Sequence, residues 1–338
     1  MTWKLTGRLC GLVVMVALVV GMPVGQRAAG AQTKTIRLGI GIDMSHAEWV
    51  LIAEKDFGRK YGIRVEYKTF ETGVGGLDAV MAGQMDVGAV SELAGLIAAS
   101  KRGNIVGVAR PWYSGTIGGL AATKEIRSPA DLVGKKVAVH PGSGSEFFFR
   151  FFFLPKHNLE GKLEVVNVPV PEQLQAMARG DIQAASTWYP WLGRLPQVVA
   201  GGHVLQQWQD SGYTSQHTLW MSKRLVAEDR QAAVAFLRTV RDAIDWANAS
   251  PTNWAEMAKI AAKAFRIPED LALSQLNYNK FVLDLTDDFL RHQMKAAEFA
   301  KQAGLLQLAD LAQHVKGLYD PSLLKEAAPD RVSVTLMK

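Results

Sequence analysis

The chain has 338 residues, 48% of them hydrophobic, with a formal net charge of +6 and one Cys. This length predicts two domains or lobes, and a single Cys excludes an internal disulfide framework and a thiolate metal site. The small excess of basic residues is too weak to indicate nucleic-acid binding.

The N-terminus has the pattern of a secretory leader. Lys4 and Arg8 precede an apolar run over residues 9–22, and small residues follow at positions 29–31. The run has about 14 residues, fewer than the roughly 20 that a membrane span needs. We predict a signal peptide over residues 1–31 and a periplasmic location; an uncleaved membrane anchor is the alternative.

Cleavage near Gln32 changes the composition of the mature chain. It removes Lys4, Arg8 and Arg27, three of the positive charges, which lowers the formal charge from +6 to +3. It also removes Cys10, the only Cys, so the mature chain has no cysteine nucleophile. A large core rather than disulfides then stabilises the mature protein, which suits a bacterial periplasm.

Strands and helices alternate through the first two thirds of the chain. Strand patterns occur at residues 36–42, 63–70 and 86–90, then again at 136–139, 163–168 and 181–185. Helical patterns follow at residues 46–61, 73–82 and 91–100, then at 145–156 and 171–178. The alternation predicts parallel sheets, and its repetition predicts two similar α/β lobes. A coincidental layout without duplication is the alternative.

The last third is mainly helical. Helices are predicted at residues 230–249, 253–265, 268–275 and 286–303. This segment is expected to pack on the first lobe, so two strand-like links, residues 117–123 and 217–221, join the lobes. We therefore assign the ranges as follows: lobe I, residues 32–118 and 219–338; lobe II, residues 119–218.

Ligands of open parallel sheets bind beyond the carboxyl ends of the strands. The corresponding loops here are residues 43–46, 71–76, 91–92, 140–145, 169–172 and 187–191. They contain no Lys or Arg, but they contain Asp43, Glu92 and several aromatic residues. Trp112 and Tyr189 are expected to add aromatic rings close to these loops. This inventory fits a small organic ligand with one anionic end and an apolar or cationic remainder.

The stretch HPGSGSEFFFRFFF, residues 140–153, joins a Gly-Ser loop to six Phe. A bare loop ahead of a helix leaves backbone N–H groups free at the positive end of the helix dipole, where they hold an oxyanion. Ser145 acting only as a helix cap is the alternative. The Phe run predicts i,i+4 pairs around a buried helix. Phe147 and Phe148, in its first turn, are the two that we consider for ligand contact.

Motifs for catalysis and metals are missing from the sequence. The seven His show no metal-ligand spacing, and no P-loop occurs. The Gly-Ser loop does not match G-x-S-x-G, which disfavours a serine hydrolase. We therefore predict a binding protein without catalysis, metal or cofactor.

Several longer phrases resemble one family. They are IRLGIG at residues 36–41, AGQMDVG at 82–88, IRSPADLVGKKVAVHPGSGSE at 126–146 and GDIQAASTWYPWLGR at 180–194. Together with the helical tail, they are similar to substrate-binding proteins of ABC importers. The branch is the one that handles nitrate, sulfonates, taurine and thiamine-pyrimidine precursors.

The resemblance implies an α/β fold of two lobes, a type II-like periplasmic binding-protein clamshell with a mostly parallel, helix-flanked sheet in each lobe. It also implies a monomer that serves a membrane permease and its ATPase subunit. Position by position, it implies these ligand contacts: Asp43, His46, Thr72, Gly73, Ser91, Glu92, Gly142, Ser143, Gly144, Ser145, Thr187 and Trp188. Trp112 and Tyr189 complete our candidate set.

One position departs from the family pattern. Many relatives carry an acid between the Trp and Pro where this chain has Tyr189. An acid there suits an amine, so its absence argues against taurine itself, unless Glu92 substitutes from the other lobe. We predict delivery of a small organic anion, a sulfonate or related acid, to an ABC importer. The alternatives are an aromatic carboxylate or pyrimidine-precursor ligand, a ligand sensor for a membrane receptor, and an enzyme like a related branch that makes the thiamine pyrimidine.

Overall fold

The structure is a computed structural model that describes residues 33–337. The expected signal peptide and its cleavage point lie outside the described residues. Among the described helices, none is both long enough and apolar enough to cross a membrane.

The strands alternate with helices in the first half and become rarer later. The described strands are β1 (Lys34–Gly41), β2 (Ile63–Phe70), β3 (Val87–Ser91), β4 (Ile105–Ser114), β5 (Gly118–Ala122), β6 (Lys136–Val139), β7 (Glu164–Asn167), β8 (Ala184–Trp188), β9 (His203–Gln207), β10 (Ser215–Ser222), β11 (Lys280–Thr286) and β12 (Val332–Ser333).

The helices cover both sheets and form most of the last third. They are α1 (Ala47–Glu54), α2 (Gly73–Met81), α3 (Glu92–Arg102), α4 (Gly144–Phe147), α5 (Leu154–Lys156), α6 (Val170–Ala178), α7 (Trp191–Arg194), α8 (Lys223–Glu228), α9 (Arg230–Asn248), α10 (Pro251–Phe265), α11 (Glu269–Leu276), α12 (Asp287–Gln302), α13 (Leu311–Gly317) and α14 (Pro321–Ala327). A π-helix, Phe148–Phe153, joins α4 to α5, and short 3-10 turns include Met44–His46 before α1.

Two mixed sheets form the centres of the two lobes. The first has the order β12-β11-β4-β10-β3-β1-β2 and the second the order β7-β6-β8-β5-β9. The repeat is visible at their centres, where β2-β1-β3 and β7-β6-β8 are parallel in the same relative order. The predicted α/β class and the duplicated plan are confirmed.

The sheets are less parallel than we expected. In the first sheet β10 runs antiparallel to β3 and β4, and in the second β5 runs antiparallel to β8 and β9. The reason is that both expected links are strands of the sheets they enter. Residues 117–123 contribute β5, and residues 217–221 lie inside β10, which enters its sheet in the reverse direction. The lobe boundary proposed at residue 218 therefore falls within a strand of the first sheet.

Other differences concern element ends. Helix α1 ends at Glu54, not at residue 61, because Asp56 takes a positive φ of 51° and a 3-10 turn follows. Strands β4, β9, β11 and β12 are not among the predicted strands. Strand β4 lies inside the first sheet and is almost continuously buried. Such a strand lacks the alternating pattern that marks a half-exposed strand.

Helix α2 packs directly on β1 because two glycines face each other. A Cβ on Gly76 would lie 2.6 Å from the backbone carbonyl carbon and oxygen of Gly39. Replacing Gly76 by Ala is expected to lower the free energy of unfolding by about 1–3 kcal/mol, since the helix must move off the strand. Gly317→Ala, whose Cβ would meet nothing within 4 Å, is the control. Equal denaturation midpoints for both variants and the wild type would contradict this close approach.

Candidate functional site

One cavity receives residues from both lobes and from the strand that returns to lobe I. The free space in it and at its mouth is about 550 Å³, a figure that includes solvent outside the walls, so the enclosed part suits only a compact ligand. Lobe I contributes the loop after β1, the start of α2, the end of β3 and Trp112. Lobe II contributes the Gly-Ser loop, Trp188 and Trp208, and β10 contributes Ser215 and His217.

Most of the predicted contact residues line this cavity. They are Asp43, His46, Thr72, Gly73, Ser91, Trp112, Ser143, Gly144, Ser145 and Trp188. The other four, Glu92, Gly142, Thr187 and Tyr189, lie outside the lining. Their surroundings explain why.

Asp43 ends the loop after β1 and caps the 3-10 turn Met44–His46. Its Oδ1 accepts hydrogen bonds from the Ser45 amide at 2.9 Å and from the Ser45 hydroxyl. The Nδ1 of His46 lies 3.4 Å from the same oxygen. Burial acts to raise the pKa of Asp43, but His46 and the Ser45 hydrogen bonds outweigh it and lower the pKa to about 2. Asp43 is therefore ionised at neutral pH.

His46 is fixed on both sides of its ring. Its Nε2 lies 3.2 Å from the carbonyl oxygen of Ala89, which can only accept, so this nitrogen carries a proton. The ring also packs against His217, with 5.1 Å between centroids. Burial and the neighbouring His46 lower the pKa of His217 to about 3, so His217 is neutral at pH 7. His217 in turn packs on Trp112 at 4.3 Å.

The Gly-Ser loop satisfies many of its own polar groups. The Ser143 hydroxyl donates to the carbonyl oxygen of His140 at 2.7 Å and accepts from the amides of Ser145 and Glu146. The amide of Gly142, at a positive φ of 70°, donates to Glu146 at 2.7 Å. Gly142 is thus a turn residue held by Glu146, and Ser143 is the cap of α4.

Uncapped helix starts lie in lobe I instead. Helix α2 begins at Gly73 and α3 begins at Glu92, and neither receives a side-chain cap from Thr72 or Ser91. Thr72, Gly73 and Ser91 all line the cavity. Because the first amides of a helix have no partner within it, these two helix starts offer free N–H donors.

Glu92 is fully buried beneath the strand that returns from lobe II. Its Oε1 accepts from the Tyr213 hydroxyl and lies 3.0 Å from Nε2 of His292. Its Oε2 accepts from the Ser215 hydroxyl at 3.2 Å and from the Gln216 amide at 3.1 Å. The carboxylate therefore ties lobe I to residues 213–216, where the chain re-enters lobe I, and does not line the cavity.

Of the three consecutive residues Thr187, Trp188 and Tyr189, only Trp188 lines the cavity. Thr187 is fully buried. The ring of Tyr189 stacks on Tyr278 of lobe I, with centroids 5.0 Å apart. Trp188, between them, lines the cavity and meets the His140 ring edge-on at 5.8 Å.

The Phe run packs between the lobes and not against the cavity. Phe147 and Phe148 are fully buried, and Phe147 contacts Phe299 of α12 at 5.4 Å. Two of the three predicted i,i+4 pairs form, Phe147 with Phe151 at 5.4 Å and Phe149 with Phe153 at 5.1 Å, whereas Phe148 packs on Phe153 at i,i+5 instead of on Phe152. The prediction of a buried aromatic helix holds for most rings, whereas the idea of ligand contact by Phe147 or Phe148 is wrong.

Sequence reasoning missed eight residues of the lining: Ser45, Val74, Val90, Ile117, His140, Trp208, Ser215 and His217. Ser45, Val74 and His140 lie within the predicted cleft loops, so loop position alone could have included them. Trp208 follows β9 of lobe II, and Ser215 and His217 lie on β10. The sequence indicates an extended segment at residues 217–221 but not that this segment borders the cavity.

The charge pattern of the cavity is unusual for an anion site. Among the residues that the structure describes, the lining includes no Lys or Arg, and Asp43 is its only acid. No group of described side chains could hold a metal ion. The site therefore offers amide and hydroxyl donors, three indoles, imidazoles and one carboxylate.

Comparisons with known proteins agree with this arrangement. A family model described as the NMT1-like family matches residues 29–262. The taurine-binding periplasmic protein of Escherichia coli (strain K12) is 25% identical over 301 residues, which cover 84% of this chain and 92% of that protein. The putative aliphatic sulfonates-binding protein of Bacillus subtilis (strain 168) is 24% identical over 336 residues, with coverages of 96% and 98%.

Solved structures share the fold. The periplasmic aliphatic sulphonate binding protein SsuA from Escherichia coli has a TM-score of 0.71 at 16% identity, covering 85% of this chain and 92% of its own. The desulfurization enzyme DSZB has a TM-score of 0.64 at 16% identity, with coverages of 88% and 99%. At such identities the likeness shows the fold alone, and it confirms the two-lobe α/β class predicted for this chain. Since the family model spans most of the sequence, the chain belongs to the NMT1-like family.

Proposed function

We propose that this protein is the periplasmic solute-binding component of an ABC importer and holds a small organic anion between its lobes. The observation that carries the proposal is the cavity at the lobe interface, which is lined by the uncapped start of α2 and by Ser91, the residue before α3. The anion accepts hydrogen bonds from amides near Gly73 and Ser91, while Trp112 and Trp188 cover the apolar remainder.

The lobe interface also suits capture and release. The cavity is lined from both lobes, so ligand contacts favour the arrangement in which the lobes are closed. A closed monomer then presents the ligand to a permease, which an ATPase subunit drives. The names of the relatives from Escherichia coli and Bacillus subtilis, a taurine-binding and a putative sulfonates-binding protein, support this class.

We also propose that the protein binds its ligand without catalysing a reaction. The single Cys of the chain, Cys10, lies in the expected leader, so the mature protein carries no cysteine nucleophile. The structure of DSZB with biphenyl-2-sulfinic acid was obtained with a cysteine-to-serine mutant of that enzyme. The cavity of this chain presents donors and aromatic faces that bind a ligand, and we assign it no reaction.

The direct test is a thermal-shift screen of protein isolated from the periplasm of a host that expresses the full chain. The panel contains sulfonates, taurine, nitrate, aromatic carboxylates and pyrimidines. A ligand at 100 times its Kd stabilises the protein by about 2.7 kcal/mol, which such a screen detects. Binding of sulfonates or carboxylates supports the proposal, whereas binding of pyrimidines alone would replace the ligand class.

Two sets of variants locate the ligand. We expect Trp188→Ala to raise the Kd about thirtyfold, because a large apolar contact is lost. Ser143→Ala with Ser145→Ala is expected to raise it less, about three- to tenfold, because these hydroxyls already have partners within their loop. Ser250→Ala removes the cap of α10 far from the cavity and controls for lost caps. Unchanged Kd values in both sets would contradict the site.

A further inference from the structure

Tyr189 and Tyr278 make a ring contact between the two lobes. Tyr189 directly follows β8 of the second sheet, and Tyr278 lies between α11 and β11, which is a strand of the first sheet. Their rings are stacked, with 5.0 Å between centroids and 17° between planes. Both residues are half-buried, and neither lines the cavity. The pair therefore connects the lobes without touching the place of the ligand.

The backbones of the two tyrosines are anchored to different parts of the link between β4 and β5. The carbonyl oxygen of Tyr278 accepts hydrogen bonds from the Ser114 hydroxyl and, at 3.2 Å, from the Thr116 hydroxyl. The amide of Tyr189 donates to the carbonyl oxygen of Ile117 at 2.8 Å. Lobe I thus holds the link through Thr116, and lobe II holds it from Ile117 onward. A rotation between the lobes is taken up here, so it must change the distance or the angle between the stacked rings.

The contacts beside the returning link are of a different kind, because they belong to a continuous core. Phe147 of lobe II packs on Phe299 of α12 at 5.4 Å and on Tyr213 at 5.7 Å, and the Tyr213 hydroxyl donates to Glu92 of lobe I. Phe147, Tyr213 and Glu92 are fully buried. Parting them would expose a large apolar area and break a buried charged network, which is costly. We expect these contacts to persist as a pivot, whereas the half-buried tyrosine stack can separate.

We infer that the stack of Tyr189 on Tyr278 is a clasp that favours the closed arrangement of the lobes and slows their opening. A stacked aromatic pair adds a modest stabilisation, so its loss should raise the ratio of open to closed molecules about three- to tenfold. A contact of this strength biases closure without preventing release. The inference rests on the proposed function, because it describes how the same binding site is kept closed.

The test measures the distance across the cavity in the ligand-free protein. Glu71 precedes Thr72 of the lining, and Glu172 lies in the first turn of α6 in the opposite lobe. Both glutamates are exposed, so cysteines at these positions can carry spin labels. The only native Cys, Cys10, lies in the expected leader, so the cleaved protein is labelled only at the two introduced sites. Double electron–electron resonance then gives the populations of short and long distances between the lobes.

We expect Tyr189→Ala and Tyr278→Ala to raise the ratio of long to short distances about three- to tenfold. The double variant should match the larger single change, because all three proteins lose the same contact. Tyr189→Phe keeps the ring and should keep the wild-type distances. Tyr67→Ala is the matched control, since this half-buried tyrosine of β2 donates to Glu54 within lobe I.

Three results would overturn the clasp. They are equal distance distributions in the wild type and both alanine variants, a double variant that opens markedly further than either single one, and equal opening in the Tyr67 control. Each of them would leave the proposed function standing, because the measurement is made without ligand.

A kinetic measurement connects the clasp to the ligand. Propane-1-sulfonate is the probe, and the indoles of Trp112 and Trp188 in the lining report its binding through their fluorescence. Tyr278→Ala should release the probe about three- to tenfold faster, although Tyr278 lies outside the lining, because release requires opening. An unchanged release rate would overturn the clasp. Failure of the wild type to bind the probe would count against the proposed ligand class, while the distances in the ligand-free protein still decide the inference.

Discussion

Replacing Glu92 by Gln is expected to lower the free energy of unfolding by about 3–5 kcal/mol, the usual cost of breaking a buried charged network. The carboxylate is fully buried and accepts on both oxygens from groups that connect the lobes. Gln offers one acceptor and places an amide N–H₂ group against donors. The Ser215 hydroxyl and the Gln216 amide, or Tyr213 and His292, then lose their acceptor.

Urea denaturation of the wild type, Glu92→Gln and Glu160→Gln measures this effect. Glu160 is exposed, so its substitution controls for the loss of one negative charge. The folded fraction of the Glu92→Gln variant should bind any ligand found in the screen with nearly the wild-type Kd. A variant with wild-type stability but weakened ligand binding would contradict our assignment and return Glu92 to the ligand site.

The contrast between Asp43 and Glu92 shows how far sequence reasoning reaches. Both follow a parallel strand, so both were expected in the cleft, and the loop rule placed Asp43 correctly in the lining. Glu92 is covered by residues 121 to 124 positions later in the chain. Local patterns carry no information on such a distant segment, so burial of Glu92 could not be foreseen.

The same reason explains the two lobe links. Residues 217–221 are apolar and strand-like, and the sequence correctly indicated an extended segment there. Its pairing with β3 and β4 depends on contacts made more than 100 residues apart. Elements with local signals, such as β1, β2 and α10, matched closely, whereas pairing partners and lobe membership required the structure.

The Phe run illustrates a limit of a different kind. Its composition correctly predicted a buried helix, because few faces of such a helix are polar. The π-helix adds i,i+5 contacts of Phe147 with Phe152 and of Phe148 with Phe153, and no residue of the run marks it in advance. Its rings pack on α12 of lobe I and on Tyr213, so the run joins the lobes beside Glu92.

The second large effect is expected at Glu48, in the first turn of α1. Both carboxyl oxygens are buried without a hydrogen-bond partner within the described residues, and α1 packs against α9 and α10. Burial, together with the nearby charge of Asp43, raises the pKa of Glu48 well above its usual value. The folded protein therefore keeps this group protonated under conditions where the unfolded chain ionises it.

The sign of the pH dependence follows from that difference. Below the ordinary Glu pKa of 4.5 both states bind the proton, and Glu48 contributes no pH dependence. Above it the unfolded state binds fewer protons, so the free energy of unfolding falls as pH rises toward the raised pKa of the folded state. Glu48→Gln removes this loss, and Glu48→Met also removes the unpaired polar atoms.

We expect Glu48→Met to stabilise the protein by about 1–3 kcal/mol at pH 8, Glu48→Gln to stabilise it less, and both gains to shrink toward pH 4.5. Chemical denaturation at pH 4.5, 6 and 8 measures the trend, and Glu160→Gln, with its exposed side chain, should follow the wild type. Destabilisation of both Glu48 variants at pH 8 would show that the carboxyl has a stabilising partner.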